Sequence, residues 1–269
     1  VTAGPGLITG LMVGVEAAKT LSYLWNVPVV AVNHIEGHIH SVEISNFQFP
    51  IFNKVDYPAI ALIASGGHTE LILIKKEGQY KKIGATLDDA AGECFDKVAK
   101  LLGFDYPGGP KISQFAETGN PNAIKFPRPM LKENNFNFSF AGLKTSALYW
   151  LRDNAKKNVT CYMLHVTCKK DFCASFEQAI IDVLVGKTLK AVEKYKPKSV
   201  ILAGGVSANK KLRETLAQSL VPCSMFHAPS PIYAMDNAAM IAVAGYYHAT
   251  KKDFTPWQKL KADPNWEID

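Results

Sequence analysis

Apolar positions alternate along this chain between two rhythms, one near every third or fourth residue and one in short unbroken runs. Residues 11–25 follow the first and predict a helix; Val27-Pro28-Val29-Val30-Ala31-Val32 follows the second and predicts a buried strand that stops at Asn33 and His34. Residues 58–64 and 69–74 are two further strand-like runs. The four residues between them, Ser65, Gly66, Gly67 and His68, predict a tight glycine hairpin, and residues 80–85 a third strand. Asp88 and Asp89 precede a helical pattern over 90–102, where they would cap the first turn, and Gly103 would end it. Tyr106-Pro107-Gly108-Gly109-Pro110 reads as a loop, neither helix nor strand.

The second half continues the alternation. Residues 136–140 read as a short strand, 142–152 as helix, and 171–195 as the longest helix. Ser199-Val200-Ile201-Leu202-Ala203 is a buried strand that runs into Gly204, Gly205 and Asn209 and then a helix reaching Leu220. A strand over 223–227 and a helix over 236–247 complete the pattern. Strand, paired glycines and helix recur without a fixed period, which points to an α/β chain of two related lobes.

With 269 residues, 48% of them hydrophobic and 20% charged, the chain has enough apolar surface for a sizeable core, and no apolar run is long enough to span a bilayer. Thirty Lys and Arg against 24 Asp and Glu give +6, a balance that permits a polyanionic partner without requiring one. Five cysteines without a C-x-x-C pair argue against a disulfide framework and a thiolate zinc site. The opening residues have neither Met nor a basic, apolar leader, so the expectation is a fragment that begins mid-fold.

Chemistry concentrates in residues 33–40, Asn-His-Ile-Glu-Gly-His-Ile-His. His34 and His38, four apart, would share one face of a helix and suit a divalent metal; two neutral imidazoles favour Zn²⁺ or Fe²⁺ over Mg²⁺. A third ligand must come from elsewhere, and Asp236, at a helix start, is the candidate carboxylate. Glu36 lies between the histidines at an offset that differs from the H-E-x-x-H zincin pattern, which weakens a protease reading. The glycine turns at 65–67, 108–109 and 204–205 could admit a phosphate against backbone amides. Asp96 could meet ribose hydroxyls, Asn209 could donate to a nucleotide, and Lys125, Arg128 and Lys144 could touch nucleic-acid phosphates. Ordinary turn, cap and solubility roles account for each of these singly.

Together, Thr2-Ala3-Gly4-Pro5-Gly6-Leu7, the His34 to His38 motif, Ser65-Gly66-Gly67-His68-Thr69, Asp88-Asp89-Ala90-Ala91-Gly92-Glu93, Phe95-Asp96-Lys97, the Tyr106 to Pro110 motif, Phe138-Ser139-Phe140-Ala141-Gly142-Leu143-Lys144-Thr145, the glycine turn ending at Asn209 and Asp236-Asn237 resemble the tRNA N6-adenosine threonylcarbamoyltransferase family. His68 after the glycines resembles its bacterial and mitochondrial branch. The resemblance implies the two-lobed α/β fold of actin, Hsp70 and sugar kinases, with a first lobe over residues 1–52, a second over 53–269, and the last helices packing back toward the first. It implies transfer of the threonylcarbamoyl group from threonylcarbamoyl-adenylate to N6 of adenosine 37 in tRNAs reading codons that begin with A.

Carried over by position, His34, His38 and Asp236 match the family's metal ligands. Ile63, Ala64, Ser65, Gly66 and Gly67 match its substrate-phosphate hairpin, and Asp96, Gly109 and Asn209 match further adenylate contacts. The family's opening Glu-Thr-Ser-Cys-Asp-Glu-Thr-like segment has no counterpart here, so the first lobe is expected to be incomplete. The base for the N6 proton is left open between Glu36, a water and a residue of that segment. The resemblance further implies tRNA as partner, with a paralogous subunit and a small ATPase in a bacterial cytoplasm, or a homodimer in mitochondria. The same fold also serves sugar kinases and ATPases, and paired histidines serve zinc peptidases, so these remain the alternatives, beside a non-catalytic tRNA-binding subunit.

Overall fold

A computed structural model describes residues 1–44, 55–157, 166–221 and 224–268. The boundary expected near residue 52, and Cys161, His165 and Cys223, lie outside them.

The chain opens with strand β1 (Thr2–Gly4), helix α1 (Ile8–Trp25) and strand β2 (Val32–Asn33), the two strands pairing in parallel. The strand expected over 27–32 shrinks to its end. Pro28 has no N–H to give a ladder, Val27 is 45% exposed, and Val29 makes only an isolated bridge, to Thr255. Helix α2 (His34–His40) follows directly.

Strands β3 (Ala59–Ala64), β4 (Thr69–Lys76), β5 (Gln79–Ala85), β6 (Ser199–Ala203) and β7 (Met225–His227) form a mixed sheet in the order β5-β4-β3-β6-β7. β3, β4 and β5 run antiparallel as a meander, as their glycine turn predicts, while β6 and β7 lie parallel to β3 and to each other respectively. Every residue of β3 and β6 is buried, because both faces are covered. Ile60, Leu62, Leu71 and Leu202 face a helical layer. That layer comprises α3 (Ala91–Leu101), α4 (Gly108–Ala116), α5 (Ala141–Lys157), α6 (Val166–Tyr195) and α7 (Lys210–Leu220). The alternate residues Ala61, Ile63, Ile72 and Ile201 face Ile35, Ile39 and Val42, so α2 rides on the opposite side of the sheet. Helix α8 (Ala238–Thr250) packs on α2, and residues beyond it return to the first strands: Thr255 donates to Val29 and Asp263 to Ala3, with Leu260 buried beside Ala3 and Val15. The α/β class expected from the sequence is the class observed. Among the described residues no helix is long and apolar enough to cross a membrane.

Long-range hydrogen bonds overrule several local expectations. Asp88 and Asp89 do not cap α3, whose N-cap is Ala90 without a side-chain bond. Asp88 Oδ1 instead accepts from the amides of Phe140 and Ala141 at the start of α5, and Oδ2 from the Ser139 hydroxyl. The expected loop at 106–110 is the entrance to α4, because Asp96 Oδ1 accepts from the amides of Gly108 and Gly109 and satisfies the first turn. Residues 136–140 form no strand; only Phe138 bridges, to Thr86, while Phe138 and Phe140 fill the core. Lys187 is fully buried and donates to the carbonyls of Glu133 and Asn135, so a long side chain from α6 anchors the segment before α5.

Burial pushes the thiols of Cys94 and Cys173 up to about 12. Both are therefore protonated and shielded in the folded protein near neutrality. Alkylation at about pH 8, mapped by mass spectrometry, is expected to spare Cys94 and Cys173 until denaturant is added; labelling of either in the native protein would contradict this packing.

Candidate metal centre and its cleft

Asn33 ends β2 and opens α2. Its Oδ1 accepts from the Ile35 amide at 2.9 Å, and its Nδ2 donates to the Trp266 carbonyl at 3.2 Å, tying the helix start to the C-terminal tail. From this cap onward, four-residue spacing brings His34 and His38 together, ring centroids 4.7 Å apart at 76°. Asp236 arrives from the turn just before α8, whose N-cap is Asn237. Its Oδ1 lies 3.4 Å from His34 Nε2 and 3.2 Å from His38 Nε2, and one donor atom from each of the three residues lies within 4.8 Å of the others.

His38 is 1% exposed, its Nε2 lies 3.2 Å from Asp236 Oδ1, and among the described residues neither ring nitrogen meets the geometry of a hydrogen bond. A buried polar group left in that state costs about 1–3 kcal/mol. Two donors bound about 2.0–2.1 Å from a tetrahedral zinc stand about 3.3 Å apart, close to the two observed separations. The contacts with His34 and His38 hold the Asp236 carboxyl well below the usual carboxylate range, so it is ionised. Two imidazoles, one carboxylate and an orphaned buried nitrogen fit a divalent cation of the Zn²⁺ or Fe²⁺ type.

The β3–β4 hairpin delivers its turn beside this cluster. His68 lies within electrostatic reach of His34 and His38, and burial, followed by those two rings, lowers its pKa and keeps it neutral. Within the turn Ser65 N–H donates to the His68 carbonyl, and Ser65 Oγ accepts from the amides of Gly67 and His68. Two of the three amides expected to face phosphate are thus engaged by the turn itself, and the Gly66 amide is the one without a partner among the described residues. Ile63 and Ala64 are core residues whose side chains are wholly buried. The turn at 204–205 lies alongside, since Gly204, with φ of 87°, packs against the Ala64 carbonyl where a β-carbon would come within 2.5 Å. Both glycine turns therefore sit at the carboxyl ends of adjacent parallel strands, where open α/β sheets place their ligands. A cavity of about 220 Å³ opens between Pro5, Ile35, His68, Glu70, Lys82 and Trp266.

A sequence profile of the family described as tRNA N6-adenosine threonylcarbamoyltransferase matches residues 1–243. The chain belongs to this family. A protein of that name from Geotalea uraniireducens is 44% identical over 270 aligned residues, which cover 100% of this chain and 75% of the relative. One from Bacillus subtilis is 45% identical over 247 residues, 91% of this chain and 67% of the relative. Like these, the chain is a transferase. Among solved structures, HypF from T. kodakarensis superposes with a TM-score of 0.62 over 91% of this chain at 14% identity, and full-length HypF in a phosphate- and nucleotide-bound form with 0.60 over 86%. The chain spans 40% and 44% of those two structures, and the likeness is one of fold.

For a threonylcarbamoyltransferase-family chain, the remaining candidates fall into four groups. Asp96 and Gly109 meet at the head of α4, where Asp96 uses Oδ1 as the cap and, among the described residues, leaves Oδ2 without a partner. Asn209 caps α7 through Oδ1, while Nδ2 donates to Ser113 of α4 and Glu177 of α6, so its polar atoms join three helices. Lys144 is bound by Asp89 and Arg128 by Asp182, so neither is a free phosphate contact. Glu36, the fourth case, is not brought to the histidines. Two residues from each of them, it points about 200° around the helix, where Oε1 accepts from the Tyr80 hydroxyl and Oε2 meets His248 Nε2, each at 2.8–2.9 Å. Asn33 carried a legible signal, an Asx residue directly before a helical pattern; Tyr80 and His248 carried none.

The hairpin depends on α3 behind it. A β-carbon on Gly92 would lie 2.6 Å from the Ser65 carbonyl oxygen and 2.8 Å from the Gly66 nitrogen, both backbone atoms. Gly92→Ala is expected to lower stability by about 1–3 kcal/mol, the usual cost of overpacking, as read by chemical denaturation; an unchanged midpoint would show that the turn shifts freely.

Proposed function

We propose that this chain transfers the threonylcarbamoyl group of threonylcarbamoyl-adenylate to N6 of adenosine 37 in tRNAs that read codons beginning with A, at the cleft centred on His34, His38 and Asp236. The observation that carries the reading is the convergence of those three side chains, with His38 buried and unpartnered, in a chain of this family.

The chemistry makes specific demands. An exocyclic N6 amine is a weak nucleophile because its lone pair is conjugated with the purine, so the donor must be activated, and a mixed anhydride with a phosphate leaving group is. His34, His38 and Asp236 would hold one divalent ion, which in such three-ligand sites supplies Lewis-acid stabilisation of charge developing on the donor. The Gly66 amide would meet one oxygen of the departing phosphate, and Asp96 Oδ2, unpartnered among the described residues, a ribose hydroxyl. Asn209, with its donors committed, serves by fixing α4 against α6 and α7 rather than by touching the nucleotide. The cavity beside His68 offers room for the threonyl end, since its volume is several times the roughly 30 Å³ share of one water. Glu36 does not act as the base, because both of its oxygens are engaged away from the cluster. A bacterial cytoplasm, a paralogous subunit and a small ATPase complete the reading; the bacterial relatives support the first.

The test is to incubate purified protein with labelled threonylcarbamoyl-adenylate and a tRNA transcript reading a codon that begins with A, then digest and quantify the modified nucleoside. Modified adenosine is expected from the parent. His34→Ala and Asp236→Ala are each expected to lose more than about 100-fold, beyond what outer-shell changes cost, with unchanged circular dichroism. Near-parental transfer by either variant would remove the metal role, and no product from the parent would remove the reading.

A further inference from the structure

We infer that Glu36 is a positioning residue: through His248 it fixes how α8 lies across α2, and thereby where Asp236 meets His34 and His38. This rests on the metal reading above and adds a residue pair to it.

Asp236 has little to hold it in place. Its side chain is 76% exposed, and it lies just before α8 in a turn braced by Asn237, whose Oδ1 accepts from the Met240 amide and whose Nδ2 donates to the Tyr233 and Met235 carbonyls. Its position is therefore inherited from α8. That helix is itself thinly anchored by apolar packing, with only Met240 and Ala244 buried. Gly37 of α2 lies against it, since a β-carbon there would be 2.6 Å from Ile241 Cδ1.

A close contact at one point permits a crossing but leaves the helix free to swing about it. Asp236 stands five residues to one side of Ile241, about 7–8 Å along the axis, and His248 seven residues to the other, about 10 Å. A swing of about 5° would carry Asp236 by about 0.7 Å, several times the roughly 0.2 Å tolerance of metal–ligand distances. The far arm removes that freedom. His248 Nε2 lies 2.8 Å from Glu36 Oε2, and its Nδ1 2.8 Å from Asp253 Oδ2, so the ring bridges two carboxylates. Glu36 is 5% exposed and is itself held by Tyr80. Beside it the Tyr247 hydroxyl donates to the buried Glu43, and the Tyr247 ring stacks on His40. Because Glu36 projects from the side of α2 opposite the histidines, α8 grips that helix on both sides of Gly37.

Zinc alone is the probe: its dissociation constant is measured at fixed pH by competition with a chromogenic chelator, for the parent, His248→Ala, Glu36→Ala, Glu36→Gln, Asp236→Ala and the His248→Ala/Asp236→Ala double variant. His248→Ala and Glu36→Ala are expected to weaken binding about 10–100-fold, the range for outer-shell partners, and Glu36→Gln, which still accepts from His248 while donating to Tyr80, to recover most of it. In the Asp236→Ala background, His248→Ala should change the residual two-histidine affinity by less than about two-fold, the non-additivity expected of a residue that acts through another. Equal losses in both backgrounds would overturn the inference in favour of general loosening. Parental affinity in His248→Ala, beside a weak Asp236→Ala, would overturn it and leave the metal reading intact. Parental affinity in Asp236→Ala itself, or no zinc binding by the parent, would end both. His248 is part-exposed, so its truncation tests the point even if Glu36→Ala does not fold.

Discussion

At Gly37 the absence of a β-carbon leaves room for the Ile241 Cδ1 methyl of α8, which would otherwise lie 2.6 Å away and have to shift. The consequences spread from there. With α8 against α2, Asp236 at one end of α8 reaches the two imidazoles, and Tyr247 and His248 at the other end reach two carboxylates that α2 and the turn after it bury. Buried carboxylates are costly unless hydrogen bonds satisfy them, and each of these two receives at least two partners. The polar network and the cluster of histidines thus lie on opposite sides of one short helix.

That helix in turn is placed by the sheet. Alternate residues of β3 and β6 face the thick helical layer and α2, so a fully buried strand supports the framework on one side and the candidate centre on the other. The same two strands end in glycine turns at one edge, and Gly204 and Gly92 bring backbone against backbone there. The turn is thus pressed from behind by α3 and from the side by the neighbouring turn, backbone against backbone on both.

Where the sequence was legible, the reason was local. The glycine hairpin, the helix over 11–25, the strand before Gly204 and the shared face of His34 and His38 follow from periods and turn chemistry confined to a few residues. Where it was not, a distant partner had won. Asp88 reads as a cap for the helix that follows it, yet its carboxylate is taken by amides 52 and 53 residues later. Asp96 reads as a solvent-facing or ribose-binding acid inside a helix, yet one oxygen serves the head of the next helix. Glu36 sits within the densest motif of the chain and reads as chemistry, but helix geometry turns it from its neighbours toward a histidine 212 residues away.

This wide separation has a bearing on biosynthesis. As the chain is synthesised, the five strands of the mixed sheet and the helical layer precede α8, whereas Asp236, His248 and the segment that pairs with Val29 and Ala3 follow them. Until then Glu36 has Tyr80 but not His248, Glu43 has His40 but not Tyr247, and the face of α2 around Gly37 is uncovered. The His34, His38 and Asp236 cluster therefore comes together only after the sheet and helical layer that carry α2 have been made.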